Sequence, residues 1–510
     1  MNHWIIAPVV LPALLAPLIV LFMRHDIVLQ RVFSLAGTIA LALISVALLV
    51  MASDNVIEVY RLGNWPAPFG IVLVLDRLSA LMVALTAWLA VAVQVYAIAS
   101  GWDRRGWHFH SLWQFQLMGI CGAFLTGDAF NLFVFFEILL IASYGLMAHG
   151  GGEKRLRASV QYVTYNLIGS ALFLVALGTI YAITGTLNMA DLAVKVAQLP
   201  PGDDALIRVA ALLLLLVFAV KAALVPVHMW QPVTYGHAPA PVAALFSIMT
   251  KVGVYAILRF YTMIFAPDSV AGPAVAEVLL PAALVTLAVG MTGVLGSRHL
   301  GRMTAFAIIG SVGTLMIAVA QFSPAATMAG LYYLIHSTLA GAALFLVIDL
   351  VAARRGATGL WRVPAPPIAQ NGLIAALFFA AAIAMAGMPP MPGFIGKLMI
   401  LQASLANPWW VWIWVVVLVT SLMAIYGMAS AGSDVFWRAH AVPAEGLPAP
   451  RPALHQPTSP ATAFGAVIAL LAALAVLVVV AGPVTDWLAQ TATQIHNPAG
   501  YIAAVLTNQG

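Results

Sequence analysis

The sequence predicts an all-α, polytopic membrane protein of about fourteen transmembrane helices, and three observations carry that expectation. The 510 residues are 63% hydrophobic and only 8% charged, with a mean hydropathy of +1.01, whereas a soluble domain carries roughly 25% charged residues. Apolar runs of about 20 residues, long enough to cross ~30 Å of hydrocarbon, recur from one end of the chain to the other between short polar punctuation. Stretches such as Ile5 to Met23 and Ala463 to Ala481 are apolar all round, which excludes the alternation of a barrel strand.

Taken in order, residues 1–108 hold three spans, near 4–23, 31–52 and 71–99. The first is too long and too apolar, and lacks the basic flank, to be a cleaved signal, so it belongs to the mature chain. Five spans follow within 109–262, near 109–127, 129–149, 158–184, 206–225 and 239–262. Five more lie within 276–432, near 276–296, 303–321, 325–351, 373–405 and 409–432. Between the sixth and seventh, Asn188-Met-Ala-Asp-Leu and Pro200-Pro-Gly-Asp-Asp read as a short external helix and a turn. Residues 433–461 form a linker whose core, Ala441 to Pro460, carries six prolines and cannot pack as a helix. The last span, near 462–484 in a segment that runs to 510, reads as an appendage.

Loops joining odd to even spans carry Arg24, Arg31, Arg104, Arg105, Lys154, Arg155, Arg157, Arg298, Arg302, Arg354, Arg355, Arg362, Arg438 and Arg451. The opposite loops carry mostly acids: Asp54, Glu58, Asp191, Asp203, Asp204 and Asp268. The positive-inside rule makes the basic loops cytoplasmic and puts both termini outside. The net charge of +5 is too small and too scattered for a nucleic-acid partner and reports topology instead. The single cysteine, Cys121, excludes an internal disulfide and reads as a small packing residue.

A charge at bilayer depth costs at least ~2.5–3.5 kcal/mol, so each one that persists there needs a reason. Glu137 sits in Asn131-Leu-Phe-Val-Phe-Phe-Glu-Ile-Leu-Leu, Lys221 ends the run Ala210 to Val220, Lys251 lies in Phe246-Ser-Ile-Met-Thr-Lys-Val-Gly-Val, and Lys397 follows a proline break. Snorkelling fits Glu137 and Lys251 poorly, because apolar or small residues extend far on both sides. One fixed ion pair would satisfy two of the four and leave the others alone, so a chain of exchanging sites accounts for them better. Burial favours the neutral form of lysine, whereas arginine cannot deprotonate, so a buried lysine can carry a proton and a nearby carboxylate can tune its release.

Two of the lysines flank interrupted helices. Lys221 precedes Pro226 in Lys221-Ala-Ala-Leu-Val-Pro-Val-His-Met-Trp, and Lys397 follows Pro389 and Pro390 in Gly387-Met-Pro-Pro-Met-Pro-Gly-Phe-Ile-Gly. Proline frees carbonyls in the preceding turn, which a membrane tolerates only beside protein or water. Breaks at related places in two halves point to an ion site in a repeat transporter. The spacing suits two inverted five-helix repeats, 109–262 and 276–432, with helices 7 and 12 discontinuous. His336 lies mid-span and could join the lysine sites or be a satisfied core histidine. His228 and His237 flank the first break and could titrate or cap freed carbonyls. Asp76 with Arg77 reads as an interfacial ion pair, with an accessory role open, and Asp349 reads as snorkelling to the cytoplasmic end or pairing with Arg354 there. No phosphate loop, cysteine cluster or haem-type histidine pair is present, so neither a cofactor nor a bound metal is expected, and the driving force must be an ion gradient or a partner subunit.

Together these residues resemble the antiporter-like family shared by Mrp cation/proton antiporters, complex I and membrane-bound hydrogenases. Glu137, Lys221 with Pro226, His228 and Trp230, the run His237-Ala-Pro-Ala-Pro-Val-Ala-Ala-Leu-Phe-Ser, and Lys251 resemble its first half-channel. His336 with Ala343-Leu-Phe-Leu, then Pro389-Pro-Met-Pro-Gly-Phe-Ile-Gly-Lys397, resemble the second. The segment Gly63 to Met82 further resembles the D subunits of Mrp antiporters. Where many relatives carry a lysine soon after the histidine, this sequence has Gly341, so the link between half-channels falls to His336 and water. The resemblance implies a bacterial cell-membrane protein that works with smaller partner subunits, carries protons, and exchanges sodium or potassium that can pass elsewhere in the assembly. An antiporter-like subunit of a quinone reductase or hydrogenase would share the relay, and a membrane scaffold with inert lysines is the contrasting alternative.

Overall fold

The computed structural model describes residues 2–199, 205–441 and 460–507. The expected turn at Pro200 to Asp204, the proline-rich linker with Arg451, and the C-terminal Gly510 lie outside the described residues. Within them the chain forms α1 (Ala7–Phe22), α2 (Ile27–Ser53), strands β1 (Glu58–Arg61) and β2 (Val72–Leu75), α3 (Arg77–Ser100), α4 (Phe109–Leu125), α5 (Ala129–Ala148), α6 (Glu153–Thr184), α7 (Met189–Ala197), α8 (Ala205–Ala222), α9 (Trp230–His237), α10 (Ala240–Met263), α11 (Gly272–Gly296), α12 (Leu300–Val319), α13 (Pro324–Ala352), α14 (Asn371–Ala386), α15 (Pro392–Ala403), α16 (Trp410–Gly432), α17 (Pro460–Val479), α18 (Ala481–His496) and α19 (Ala499–Leu506). Among the described residues eleven helices are long and apolar enough to cross a membrane, and α1, α14 and α15 are apolar but shorter. Each of the fourteen expected stretches contains a helix, although length and composition alone do not give fourteen crossings.

Polar residues set several helix starts. Asp26 accepts from the Val28 and Leu29 amides at α2, Asp128 from Asn131 at α5, and Asp76 and Ser79 close a capping box at α3, each satisfying amides that would otherwise be orphaned. The third expected span is corrected here. Its first residues, Val72–Leu75, are a buried β-strand paired antiparallel with β1 in the register Glu58↔Leu75 to Arg61↔Val72, because the β-branched valines pack well on a pleated surface and the helix begins only after the Asp76 cap. The linker expected from residue 433 starts as helix instead: α16 runs into a π-helical turn, Ser433–Trp437, and Arg362 pairs with Asp434 at 2.8 Å.

The C-terminal region is likewise not an appendage. It breaks into three helices, with α17 packed on α3 and α13, α18 on α13, α3 and α10, and α19 on α7 and β1. Tyr332 donates to the Leu477 carbonyl at 3.1 Å, the Arg77 amide donates to Gln494 at 3.0 Å, and Thr327 meets His496 at 2.8 Å.

Burial fixes the centre of the bundle. The most apolar stretch of α10 is 100% buried by protein and those of α12 and α13 are 89% buried, against 33% for α16, so α10 and α13 carry Lys251 and His336 where protein surrounds them on every side. Helices α8 and α9 are separated by the break 223–229, and α14 and α15 by the break 387–391. Both interruptions fall where Pro226, Pro389 and Pro390 placed them.

Candidate functional site

Helix α6 presents one polar face to the first break. Asn166 and Ser170, four residues apart and so on the same side of the helix, each take one charged group: the Asn166 Oδ1 accepts from Lys221 Nζ at 3.2 Å, and the Ser170 hydroxyl donates to Glu137. Lys221 is buried, Glu137 is half-buried, and Glu137 stands within electrostatic reach of the lysine. The two nonetheless form no ion pair within 4.0 Å, and none of the described pairs includes Lys221, Lys251 or Lys397. Single fixed pairing therefore does not explain these charges. At the break the carbonyl of Val220 accepts from the Ala223 amide at 3.2 Å and from Trp230 Nε1 at 3.0 Å.

Lys251, near the middle of α10, is fully buried with no hydrogen-bond partner on Nζ. The ring nitrogens of His336 on α13 also lack a well-formed hydrogen bond, with the Ala384 carbonyl alongside. The two ionisable groups within electrostatic reach of His336 are Lys397 and Lys251. At the second break Lys397 donates to the Ala386 carbonyl at 2.8 Å and to Ser421 Oγ at 2.9 Å. Gly387 takes a φ of +74° there, ending α14 in the left-handed turn that glycine accepts at no steric cost, and the Lys397 stem lies against it.

Glu137, Lys221, Lys251, His336 and Lys397 thus sit on α5, α8, α10, α13 and α15, with Glu137 within reach of Lys221 and His336 within reach of both Lys251 and Lys397. On the basic face a vestibule of about 630 Å³ opens between the ends of five elements, lined by Arg105, Arg155, Tyr235, His237, His299 and Asp349 among others. Tyr235 donates to the Phe246 carbonyl at 3.1 Å, and buried polar atoms without protein partners flank that contact on both helices: both amide atoms of Gln231, one turn back on α9, and Ser247 Oγ and Lys251 Nζ, one turn apart on α10. A buried polar atom left unpaired costs about 1–3 kcal/mol, so atoms placed like these favour internal water as a partner. Gly341 permits it. A Cβ at this position would stand 3.2 Å from Ser247 Oγ and 3.3 Å from Ile308, so a longer side chain would press on the same place.

The accessory residues divide. His237 sits on the vestibule wall, its Nδ1 2.8 Å from the Val233 carbonyl and its ring stacked on His299. His228 faces the Pro226 carbonyl at the break and its Nδ1 is buried. The expected Asp76–Arg77 pair is not formed. Asp76 is buried and receives Arg259 instead, at 2.5 and 2.9 Å, while Arg77 donates to Asn55, the Ser53 carbonyl and Gln490. Adjacent residues at a helix start point apart, and the long-range partner two turns beyond Lys251 on α10 is not visible in the local sequence. Asp349 also lacks its expected partner, receiving Tyr96 and Trp102 rather than Arg354. Asn166 and Ser170 escape the sequence reading, although two polar residues at i and i+4 in an apolar span are a readable signal.

The family model described as NADH:quinone oxidoreductase/Mrp antiporter, transmembrane, matches residues 126–424, which include Glu137, Lys221, Lys251, His336 and Lys397. The D subunit of a probable K(+)/H(+) antiporter of Rhizobium meliloti is 37% identical over 99% of this chain and 98% of its own. The chain belongs to the family of Mrp antiporter D subunits. Another member of that family, the D subunit of the Na(+)/H(+) antiporter of Bacillus subtilis, is 36% identical over 99% of this chain and 100% of its own. A chain in the structure of the Mrp complex from Dietzia sp. DQ12-45-1b superposes with a TM-score of 0.88 at 29% identity, covering 99% of this chain and 100% of that one. Family membership and the apolar helices together make this a multi-pass membrane protein.

Proposed function

We propose that the chain is the proton-translocating subunit of a multisubunit sodium or potassium/proton antiporter in the bacterial cell membrane. The observation that carries this reading is the series of buried lysines, none of them ion-paired, that crosses the bundle between two broken helices. Two inverted repeats, 109–262 and 276–432, each supply one break. Protons move between Lys221, Lys251, His336 and Lys397, with Glu137 tuning Lys221 through the α6 face that holds both. Water reaches Lys251 from the vestibule, and Lys397 belongs to the outer half of the route. His237 and His228 serve the inner end, whereas Asp76, saturated by Arg259, acts as a structural anchor. The related antiporter subunits support partner subunits and a monovalent cation as the exchanged ion, and that cation can pass elsewhere in the assembly.

The test is Lys251→Ala in the complete complex, assayed for cation-driven proton movement in vesicles. Assembly should persist and exchange should vanish. Full exchange at normal expression would make the lysines inert and the chain a scaffold. The orientation has its own check: with the basic face cytoplasmic and both termini outside, a reporter that works only in the cytoplasm should stay silent when fused after the last residue.

A further inference from the structure

At its basic-face end α13 carries an ionisable residue that the relay above does not use. Asp349 Oδ2 accepts two hydrogen bonds, from Tyr96 Oη at 2.8 Å and Trp102 Nε1 at 2.9 Å. Among the described residues no protein group bonds Oδ1, and Asp349 is the one carboxylate among those lining the vestibule. The groups facing it are Tyr96 from α3, Arg105 beyond the end of α3, Arg155 from α6 and Arg354 at the end of α13. His149 lies beside Arg105 and Arg155; His237 and His299 line the same vestibule, with Arg302 and Lys154 near them; residues 240–250 of α10 contribute no ionisable group. None of the arginines pairs with Asp349 within 4.0 Å. A carboxylate anchored through one oxygen and open through the other is held in place yet accessible to water, which a structural ion pair is not.

We propose that Asp349 is the proton-exchange site between the buried relay and water at the basic face. Its Oδ1 takes a proton from vestibule water and releases it to water leading past Tyr235 and Gln231, and the proton ends on the neutral amine of Lys251. The carboxylate returns to its ionised form, no other bond changes, and the reverse order serves the opposite direction. Asp349 lies 13 residues from His336 on the same helix, about 20 Å at the rise of an α-helix, so the two mark opposite ends of one wall. His299 does not duplicate the role: burial, then the charge of His237, Arg302 and Lys154, pushes it down to about 4, leaving it neutral and without the negative charge that attracts protons.

The inference rests on the proposed antiport, and the test separates the two. Everted vesicles holding the complete complex are loaded with sodium or potassium and diluted into cation-free medium, so that protons are drawn from the basic face, and luminal acidification is followed across medium pH. Asp349→Asn, whose amide oxygen can still accept from Tyr96 and Trp102, should assemble and slow uptake about tenfold or more in alkaline medium. It should approach the wild-type rate in acid medium, where protons are plentiful, and Asp349→Glu should restore alkaline transport. In right-side-out vesicles, acidifying the medium should leave the defect in place; relief there would reverse the assigned orientation while keeping the role. A wild-type rate for Asp349→Asn in alkaline medium overturns the inference, and so does equal slowing at every pH that glutamate fails to relieve. Wild-type vesicles with no cation-driven proton movement would overturn the antiport reading and this inference with it.

Discussion

Lys221 and Lys397 occupy corresponding places beside the two helix breaks, yet the protein holds them differently. At the first break the Val220 carbonyl accepts from both the Ala223 amide and the Trp230 indole, so Lys221 is left to a neutral amide, Asn166, with Glu137 nearby on the same α6 face. At the second break the freed Ala386 carbonyl is taken by Lys397 itself, together with Ser421, and no carboxylate stands by. The first lysine is therefore adjustable by an acid and detached from the backbone break, whereas the second is part of the break's own hydrogen bonding. A neutral amine keeps two N–H donors where an ammonium has three, so Lys397 can give up a proton and still satisfy both acceptors. One half is built to be tuned and the other to be anchored.

The largest effect that would sharpen this contrast is expected of Glu137→Gln, which should abolish cation-driven proton exchange in vesicles while the complex still assembles. Glu137→Asp should keep part of the rate, since the charge survives with a shorter reach. Exchange at the wild-type level in the glutamine variant would erase the tuned half of the comparison. Next, Lys397→Arg should fail nearly as badly as Lys397→Ala: arginine can cap the Ala386 carbonyl but cannot release a proton. An arginine variant with normal exchange would reduce Lys397 to a fixed charge.

A smaller loss is expected of His336→Ala than of either Lys397 variant, because water can bridge the histidine's place, while Lys397 is the one lysine or arginine on α13, α14 and α15. Rates measured in matched vesicles order the three, and a histidine variant as dead as Lys397→Ala would contradict the assignment. The smallest effect on transport should come from Trp230→Phe. Removing the indole donor leaves the Val220 carbonyl with the Ala223 amide alone, a loss of about 0.5–1.5 kcal/mol visible as a slightly lower unfolding temperature of the complex, while exchange at moderate temperature changes little. Complete loss of exchange without loss of stability would mean that Trp230 belongs to the proton route and not to the break.

Much of this architecture can be read along the chain because the membrane imposes rules that act locally. Apolar length sets each helix, proline sets each break, and a buried lysine or glutamate announces itself by its cost, so α8 ends beside Lys221 and α15 begins just before Lys397 as expected. The expectations that fail concern partners. Sequence proximity matches Asp76 to its neighbour Arg77, and Asp349 to Arg354 about one turn past it, because nothing else is available as a guide. The actual partners, Arg259 for the first and Tyr96 with Trp102 for the second, come from regions far away in the chain.

The sequence by itself determined that the chain spans a membrane as a bundle of helices, where two of them break, and which titratable side chains lie in the apolar spans, since hydrophobic length, proline geometry and the cost of burying charge need no knowledge of neighbours. Only the tertiary structure decided which groups meet. It set Lys221 on Asn166 rather than on Glu137, gave Lys397 the Ala386 carbonyl, and opened the vestibule in which Asp349 is the one carboxylate among the described lining residues. Those contacts depend on how helices cross, and a helix's crossing angle and depth follow from the packing of all its neighbours at once.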